Sequence, residues 1–312
     1  MAFTRVHHVG LVVTDLEEAR HVMVDGFGLS IDEHRTPWPG VRREAEGVQT
    51  IQVPIGEIYY EINKPLSDES AAGRFLAANG GRSGMHYVAI ASTDLARDVQ
   101  SLTSKGAKLQ GNWNGQGPVF LDPTNTLGLL LQITPEEHYY VHPHFRGNGN
   151  VTGMAHIGMA AKSAVQVRHL WGEMFGIAED KGAERGLEPP RREEGQRRAA
   201  DDPVHLVEFP LGGTVLEVSI PTTEDSGTAK LVATRAALGA TWHHTCPYAP
   251  NAHRFLEQAV AAGIQQIGSV PPREQTTRVT GWLHPRSCLG MLVEVWNRDP
   301  GPGHYQVQQH PM

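Results

Sequence analysis

The stretch LGATWHHTCPYAP, residues 238–250, sets His243 and His244 side by side in a largely apolar run. In a strand, neighbouring side chains point to opposite faces, so one imidazole turns inward and the other outward. A buried imidazole needs a partner, and a divalent metal is one candidate. A hydrogen bond inside the core is another. The pair alone does not separate these readings, so the question becomes which other side chains the fold brings to the inward ring.

Four segments that would position such side chains occur twice, in the same order. RVHHVGLVVTDLEEARHVMVDGFGL (5–29) has its counterpart in GMAHIGMAAKSAVQVRHLWGEMFGI (153–177), each a histidine-bearing strand followed by a helix that ends at Phe-Gly. IQVPIGEIYYEINKP (51–65) parallels VEFPLGGTVLEVSIP (207–221), each a hairpin with a Glu four residues before the closing Pro. SGMHYVAIASTDLARDVQSLTSKGAKL (83–109) parallels TWHHTCPYAPNAHRFLEQAVAAGIQQI (241–267), each a strand, a turn and a helix stopped by Gly. GPVFLDPTNTLGLLLQI (117–133) parallels TGWLHPRSCLGMLVEV (280–295), two strands around a Pro-containing turn.

Internal repetition of this kind fixes architecture. The order implies curved sheets with helices packed outside and divides the chain at 1–135, a polar linker 136–150, a second module 151–299 and a tail 300–312. Residues 180–202 are charged and contain a Pro pair, so they read as a surface loop. Its Arg191, Arg192, Arg197 and Arg198 read as a solvated face balanced by Glu193 and Glu194, with grip on an anionic group as the other reading.

Composition narrows the class. The chain has 312 residues, 39% hydrophobic and 20% charged, with a formal net charge of -7. That balance argues for a soluble globular protein and against a nucleic-acid partner. No apolar run is long enough to span a bilayer, and the N-terminus has no signal-peptide core, so a cytoplasmic location is the expectation. Two cysteines, Cys246 and Cys288, allow neither a disulfide framework nor a CxxC zinc pattern.

The organisation resembles the vicinal oxygen chelate, or glyoxalase-like, superfamily, and within it the methylmalonyl-CoA epimerase family. HHVGLVVTDLEEA, INKPLSDESAAGRFLAANGGRSGMHYVAI, FLDP and WLHPRSCLGMLVEV carry the likeness. It implies an α+β fold of tandem modules, each of paired βαβββ units forming a curved mixed sheet with helices outside. It also implies four metal-ligand positions per module. In the second half these are His156, Glu217, His244 and Glu294; in the first they are His8, Glu61, Tyr87 and Gln132. Imidazole and carboxylate suit a divalent ion better than an un-ionised phenol and an amide do. One ion is therefore expected in the second half, with Zn, Mn, Co, Ni and Fe(II) all acceptable, and the first-half set is expected to be degenerate.

On this resemblance His244 is the inward ring and a ligand, while His243 packs outside. The position of the epimerase base falls on His205, with Gln49 in the first half. Glu294 is expected to act both as a ligand and as a proton acceptor. Cys246, Trp242 and Trp282 are pocket candidates, with Trp296 close by in sequence. The expected function is a metal-dependent isomerase, epimerase or lyase acting through an enolate on a small carbonyl or acyl-thioester substrate. An extradiol-type dioxygenase using His156, His244 and Glu294 is the alternative, and a non-catalytic metal- or small-molecule-binding protein the second. The partner is a small molecule, and the chain is compatible with a monomer or a homodimer.

Overall fold

The computed structural model describes residues 2–137, 141–180, 203–277 and 279–297. The charged loop with Arg191, Arg192, Glu193, Glu194, Arg197 and Arg198, and the tail 300–312, lie outside the described residues.

The first half forms strands β1 (Phe3–Val12), β2 (Val41–Arg43), β3 (Val48–Ile55), β4 (Ile58–Pro65), β5 (Gly84–Ser92), β6 (Val119–Phe120) and β7 (Leu131–Pro135). They join in the order β2-β3-β4-β1-β5-β7-β6, with β1 parallel to β4, β5 parallel to β7 and the other pairs antiparallel. The second half supplies β8 (Gly153–Ala161), β9 (Val204–Leu211), β10 (Thr214–Pro221), β11 (Ala240–Tyr248), β12 (Gln266–Ile267), β13 (Thr280–Leu283) and β14 (Leu292–Trp296). Their order, β9-β10-β8-β11-β14-β13-β12, repeats the first sheet from β3 onward. The expected α+β tandem architecture of two mixed sheets is what the chain adopts.

The helices recur in pairs because their caps do. Asp15 accepts from the Glu17 N–H at the start of α1 (Leu16–Arg20), and Ser163 from that of Gln166 at α4 (Ala164–Arg168). Ser70 and Ser226 cap α2 (Ala71–Ala78) and α5 (Gly227–Arg235); Asp94 and Asn251 cap α3 (Leu95–Ser104) and α6 (Ala252–Ala261). Each cap satisfies a helix-end N–H that would otherwise have no partner. After α1 and α4 the chain widens into π-helical turns, His21–Gly26 and His169–Met174.

The halves interlock. The hairpin turns at Gly56 and Gly212 have positive φ, +62° and +65°, as two-residue turns require. A side chain at Gly56 would meet the backbone of Gly153 at 2.8 Å, and one at Gly212 would meet Arg5 Cβ at 2.5 Å. Each hairpin tip therefore rests on the first strand of the other half. Phe27 packs on Phe255 at 5.3 Å and Phe3 on Phe175 at 5.2 Å between ring centres. His21 Nε2 meets the Ala262 carbonyl at 2.9 Å, and Lys105 donates to the Glu173 carbonyl at 2.8 Å. One continuous apolar core runs through both halves.

Candidate metal centre and cleft

Four adjacent strands, β14-β11-β8-β10, each bring one donor to the close pair of imidazoles His156 and His244. His156 Nε2 lies 2.9 Å from His244 Nε2 and 3.0 Å from Glu294 Oε2. Glu217 Oε1 stands 3.9 Å from His156 Nε2 and 3.6 Å from His244 Nε2, and Glu294 Oε2 is 3.7 Å from His244 Nε2. Ligands about 2.0–2.2 Å from a tetrahedral ion lie roughly 3.3–3.6 Å apart, so the observed spacings bracket such a site. The donor set, two imidazoles and two carboxylates, fits a divalent ion.

The backbone leaves room for this convergence at one residue. Gly158 pairs with Glu217 on one side and with His244 on the other. A Cβ there would come within 2.0 Å of the His244 ring. Gly10 holds the same place between Glu61 and Tyr87, and its Cβ would lie 2.1 Å from the Tyr87 ring. The Gly two residues after each histidine, in HVG and HIG, is thus the floor of the cluster. Neither glycine stood out in sequence, because His-x-Gly is common.

A second device aims the ring. On β11, Trp242 pairs with Met159 and His244 with Gly158, so His243 is an extra, bulged residue. On β5, Met85 pairs with Leu11 and Tyr87 with Gly10, which leaves His86 as the extra residue. Bulges of this kind redirect the side chain that follows. The bulge also changes the role expected of His243. It does not simply face away: it lines the same cleft as His244, and its Nδ1 lies 3.2 Å from His244 Nδ1. A His244 proton on Nδ1 can be donated there, which frees Nε2 for a ligand role.

Electrostatically the two rings diverge. Burial opposes charge on His156, but the neighbouring Cys246 sulfur and the Glu217 and Glu294 carboxylates raise it well above the ordinary imidazole range. Burial pushes the Cys246 thiol up to about 12, so at neutral pH the sulfur acts as an uncharged partner and the carboxylates carry the effect. His244 is driven well below the usual range by burial, by His243 and by His156. The two carboxylates therefore favour positive charge at this point.

In the first half the corresponding strands bring His8, Glu61 and Tyr87 together, but the group is closed on itself. The Tyr87 hydroxyl donates to Glu61 Oε1 at 2.5 Å, and Arg43 Nη1 donates to Glu61 Oε2 at 2.9 Å. Gln52 Nε2 reaches the same oxygen at 3.3 Å, and His8 Nε2 lies 3.3 Å from the Tyr87 hydroxyl. Burial would raise Glu61, but the charges of His8 and Arg43 and the Tyr87 hydrogen bond bring it down to about 2. Burial also lowers His8, so its ring is neutral at neutral pH, and there Arg43 and Tyr87 carry the effect. Burial and Glu61 hold the Tyr87 phenol well above its usual range, which keeps it a donor. Gln132 is buried on β7. These residues do not fit a metal ion: a guanidinium and a phenol already satisfy the carboxylate. Arg43, 18 residues from Glu61, was not singled out in sequence.

The second-half cluster opens into a cleft of about 2050 Å³, larger than the roughly 300–1,000 Å³ usual for small-ligand pockets. Trp242, Trp282 and Trp296 all line it, with Trp282 5.4 Å from the His244 ring and Trp296 5.5 Å from His156. Cys246 does not line it. The residue pairs with His156 on the adjacent strand and is fully buried, with its sulfur within 4.8 Å of a His156 ring nitrogen and a Glu294 carboxylate oxygen.

His205 does not reach the site either. Val204, Leu206 and Glu208 line the cleft, while His205 between them is exposed and faces away. The Gly212-Gly213 turn pairs Glu208 with Glu217, and strand alternation then sends His205 to the opposite face. Glu208 is the residue the sequence reading missed. Counting outward from that turn would have found it.

Residues 7–118 match the sequence model described as the Glyoxalase/Bleomycin resistance protein/Dioxygenase superfamily. Over 136 residues the chain is 30% identical to the mitochondrial methylmalonyl-CoA epimerase of Bos taurus, which covers 41% of this chain and 73% of that protein. The Mus musculus protein of the same name is 28% identical over 134 residues, 41% of this chain and 71% of its own. In fold, the chain superposes on a substituted 4-hydroxymandelate synthase from Streptomyces coelicolor with a TM-score of 0.65 at 11% identity, over 95% of this chain and 93% of that one. A xylose isomerase-like TIM barrel/4-hydroxyphenylpyruvate dioxygenase fusion protein aligns over 98% of this chain and 50% of its own, with a TM-score of 0.62 at 14% identity. No helix among the described residues is long and apolar enough to cross a membrane.

Proposed function

This chain belongs to the glyoxalase/bleomycin resistance protein/dioxygenase superfamily, whose relatives here include epimerases, and from that premise we propose that its second half is a divalent-metal-dependent site that moves a proton beside a carbonyl group. The reading is of the isomerase, epimerase or lyase type, on a small carbonyl or acyl-thioester substrate. The observation that carries it is the convergence of four protein donors, His156, Glu217, His244 and Glu294, at the buried end of an open cleft. An ion held there supplies a Lewis acid that lowers the cost of negative charge next to a carbonyl.

The chain's own residues do the rest. Trp242 and Trp282 wall the cleft and orient a bound molecule. Glu208 lies in the cleft wall, on the strand beside Glu217, and is the proton carrier in place of His205. Glu294, at the cluster itself, keeps the second role expected of it, taking a proton from the opposite wall. His243 holds the proton on His244 Nδ1.

A second reading rests on the tighter three donors. His156, His244 and Glu294 lie within 2.9–3.7 Å of one another, the triad an extradiol-type dioxygenase uses, with Glu217 slightly farther out. Glu217 weighs against it by filling a position that oxygen or a catecholate needs.

The deciding experiment is deuterium wash-in from D₂O at the carbon beside the carbonyl, across acyl thioesters, 2-oxo compounds and hydroxy-carbonyl compounds. Exchange is expected, slowed about 10²–10⁴-fold in Glu208→Gln and unchanged in His205→Gln. Oxygen uptake with a catechol, and no exchange, would replace this reading with the second.

A further inference from the structure

The cleft has a charge polarity whose basic half the proposed chemistry does not use. Its inner wall carries the carboxylates Glu208, Glu217 and Glu294, and its rim carries three exposed arginines, Arg82, Arg235 and Arg286. They come from three separate places: the turn between α2 and β5 in the first half, the end of α5, and the 3-10 turn Pro285–Ser287 before β14. Glu18 is the acidic residue among the described lining residues of the first half. On a chain of net charge -7, a rim of three guanidinium groups runs against the overall field.

Two of the three are held rather than loose. Asn79 accepts from Arg82 Nε on its carbonyl at 3.2 Å and from Arg235 Nη1 on its side-chain oxygen at 2.8 Å. Its own amide nitrogen donates back to the Arg82 carbonyl at 2.7 Å. One neutral residue thus fixes a guanidinium from each half beside the other. Among the described residues neither Arg82, Arg235 nor Arg286 forms an ion pair with a carboxylate. The two guanidinium groups that Asn79 holds, set without carboxylates, repel one another, and a shared anion removes that cost. Their planar donor forks suit a phosphate or a carboxylate.

We propose that Arg82, Arg235 and Arg286 form an anion subsite at the cleft rim, built jointly by the two halves, that holds a phosphate or carboxylate group of the substrate away from its reacting carbonyl. The first half then contributes to recognition across the interface, although its own donor cluster is closed. The cleft's volume leaves room for such an elongated molecule, with its carbonyl at the buried cluster, the tryptophans alongside and its anionic end at the rim. The substrate assignment rests on the reading above, but the subsite itself does not.

The test uses the full chain after treatment with a chelator, so that no probe can bind through a metal. Inorganic pyrophosphate and succinate are titrated separately, by calorimetry and by tryptophan fluorescence. At least one is expected to bind saturably and more weakly as salt rises. Pyrophosphate alone assigns a phosphate-bearing substrate, and succinate alone assigns a carboxylate. Arg82→Gln and Arg235→Gln should each weaken the probe about tenfold, since each removes a charge-assisted hydrogen bond. Asn79→Ala should weaken it too, by releasing both arginines. Metal uptake by these exposed-site variants, measured separately, should match the wild type. The proposal is overturned if neither probe saturates at millimolar concentration, or if both Gln variants bind as the wild type does. Anion binding that survives alongside a failure of deuterium exchange would overturn the reaction and leave the subsite standing.

Discussion

The two donor clusters are the same construction carried to opposite ends. Both sit on four neighbouring strands, above a glycine that leaves space for a ring, behind a bulge that aims it. In the first half Tyr87 and Arg43 turn inward on Glu61 and neutralise it from within the protein. In the second half His244 and Glu294 stand where Tyr87 and Gln132 stand, and the donors point at a common centre. A buried carboxylate must be balanced by something. The comparison shows that a fixed guanidinium and an exchangeable cation are alternative answers on one scaffold, and that few side chains decide which is used.

The largest effect should come from removing the open cluster. Elemental analysis of natively purified protein should find about one divalent ion per chain, and near zero in a His156→Ala, His244→Ala double variant. His8→Ala should leave the metal in place. Equal metal in the double variant, or its loss in the His8 variant, would break the comparison.

Next comes the internal cation. Arg43→Ala leaves Glu61 buried, with Tyr87, Gln52 and, at 3.8 Å, His8 as its remaining partners, and should cost about 3 kcal/mol in urea unfolding. Adding Glu61→Gln should recover much of that loss. A cost near zero for Arg43→Ala alone would mean that solvent, and not the guanidinium, balances Glu61.

Acid sharpens the same contrast. Burial brings His86 down to about 4 from its ordinary 6.5, so the unfolded chain binds its proton first as pH falls. The stability this neutral ring contributes is complete above about pH 6.5 and is lost progressively down to about 4, roughly 2 kcal/mol of it between pH 7 and 5. His7, also brought to about 4 by burial, has the same sign. Glu61, held near 2, adds a further loss only below its unfolded value of about 4.5. His86→Phe should flatten the first part of this profile, and an unchanged slope would refute the assignment.

The smallest effect, and the most discriminating, concerns the two floor glycines. Gly10→Ala and Gly158→Ala each press a methyl group into a ring and should cost about 1–3 kcal/mol. Only Gly158→Ala should also weaken metal uptake, because the displaced ring is His244. Equal metal affinity in both variants would show that His244 does not need its present position.

Much of this was legible in the sequence because it is written twice. Segment order, the Gly-stopped helices and the Gly-centred hairpins are local signals, and the repeat lets each half check the other. The four donor positions followed from the family resemblance, carried onto that register. What escaped depends on parity or on distance along the chain. His205 was misplaced because the face it occupies is set by the pairing of Glu208 with Glu217 across a two-residue turn. His243 was expected outside because a bulge, invisible in composition, breaks the alternation of β11. Cys246 does stand beside the donors, within 4.8 Å of His156 and Glu294 atoms, but depth along a strand decides what meets solvent, and it is fully buried. The Arg43–Glu61 pair and the Asn79 bracket join residues that no local pattern connects.

The interlocked hairpins and the shared apolar core also bear on how the molecule comes apart. Phe255 of α6 rests on Phe27, and Phe175 on Phe3, so neither sheet has a finished interior without the other. Unfolding is then one cooperative event, with the slowest-exchanging amides spread over both sheets at similar protection. Folding must also bring Phe27 and Phe255 together, more than two hundred residues apart, which is a costly loop to close. A ribosome-bound first half has an incomplete interior until α6 has emerged, and the interval before docking is when the chain is most exposed to aggregation.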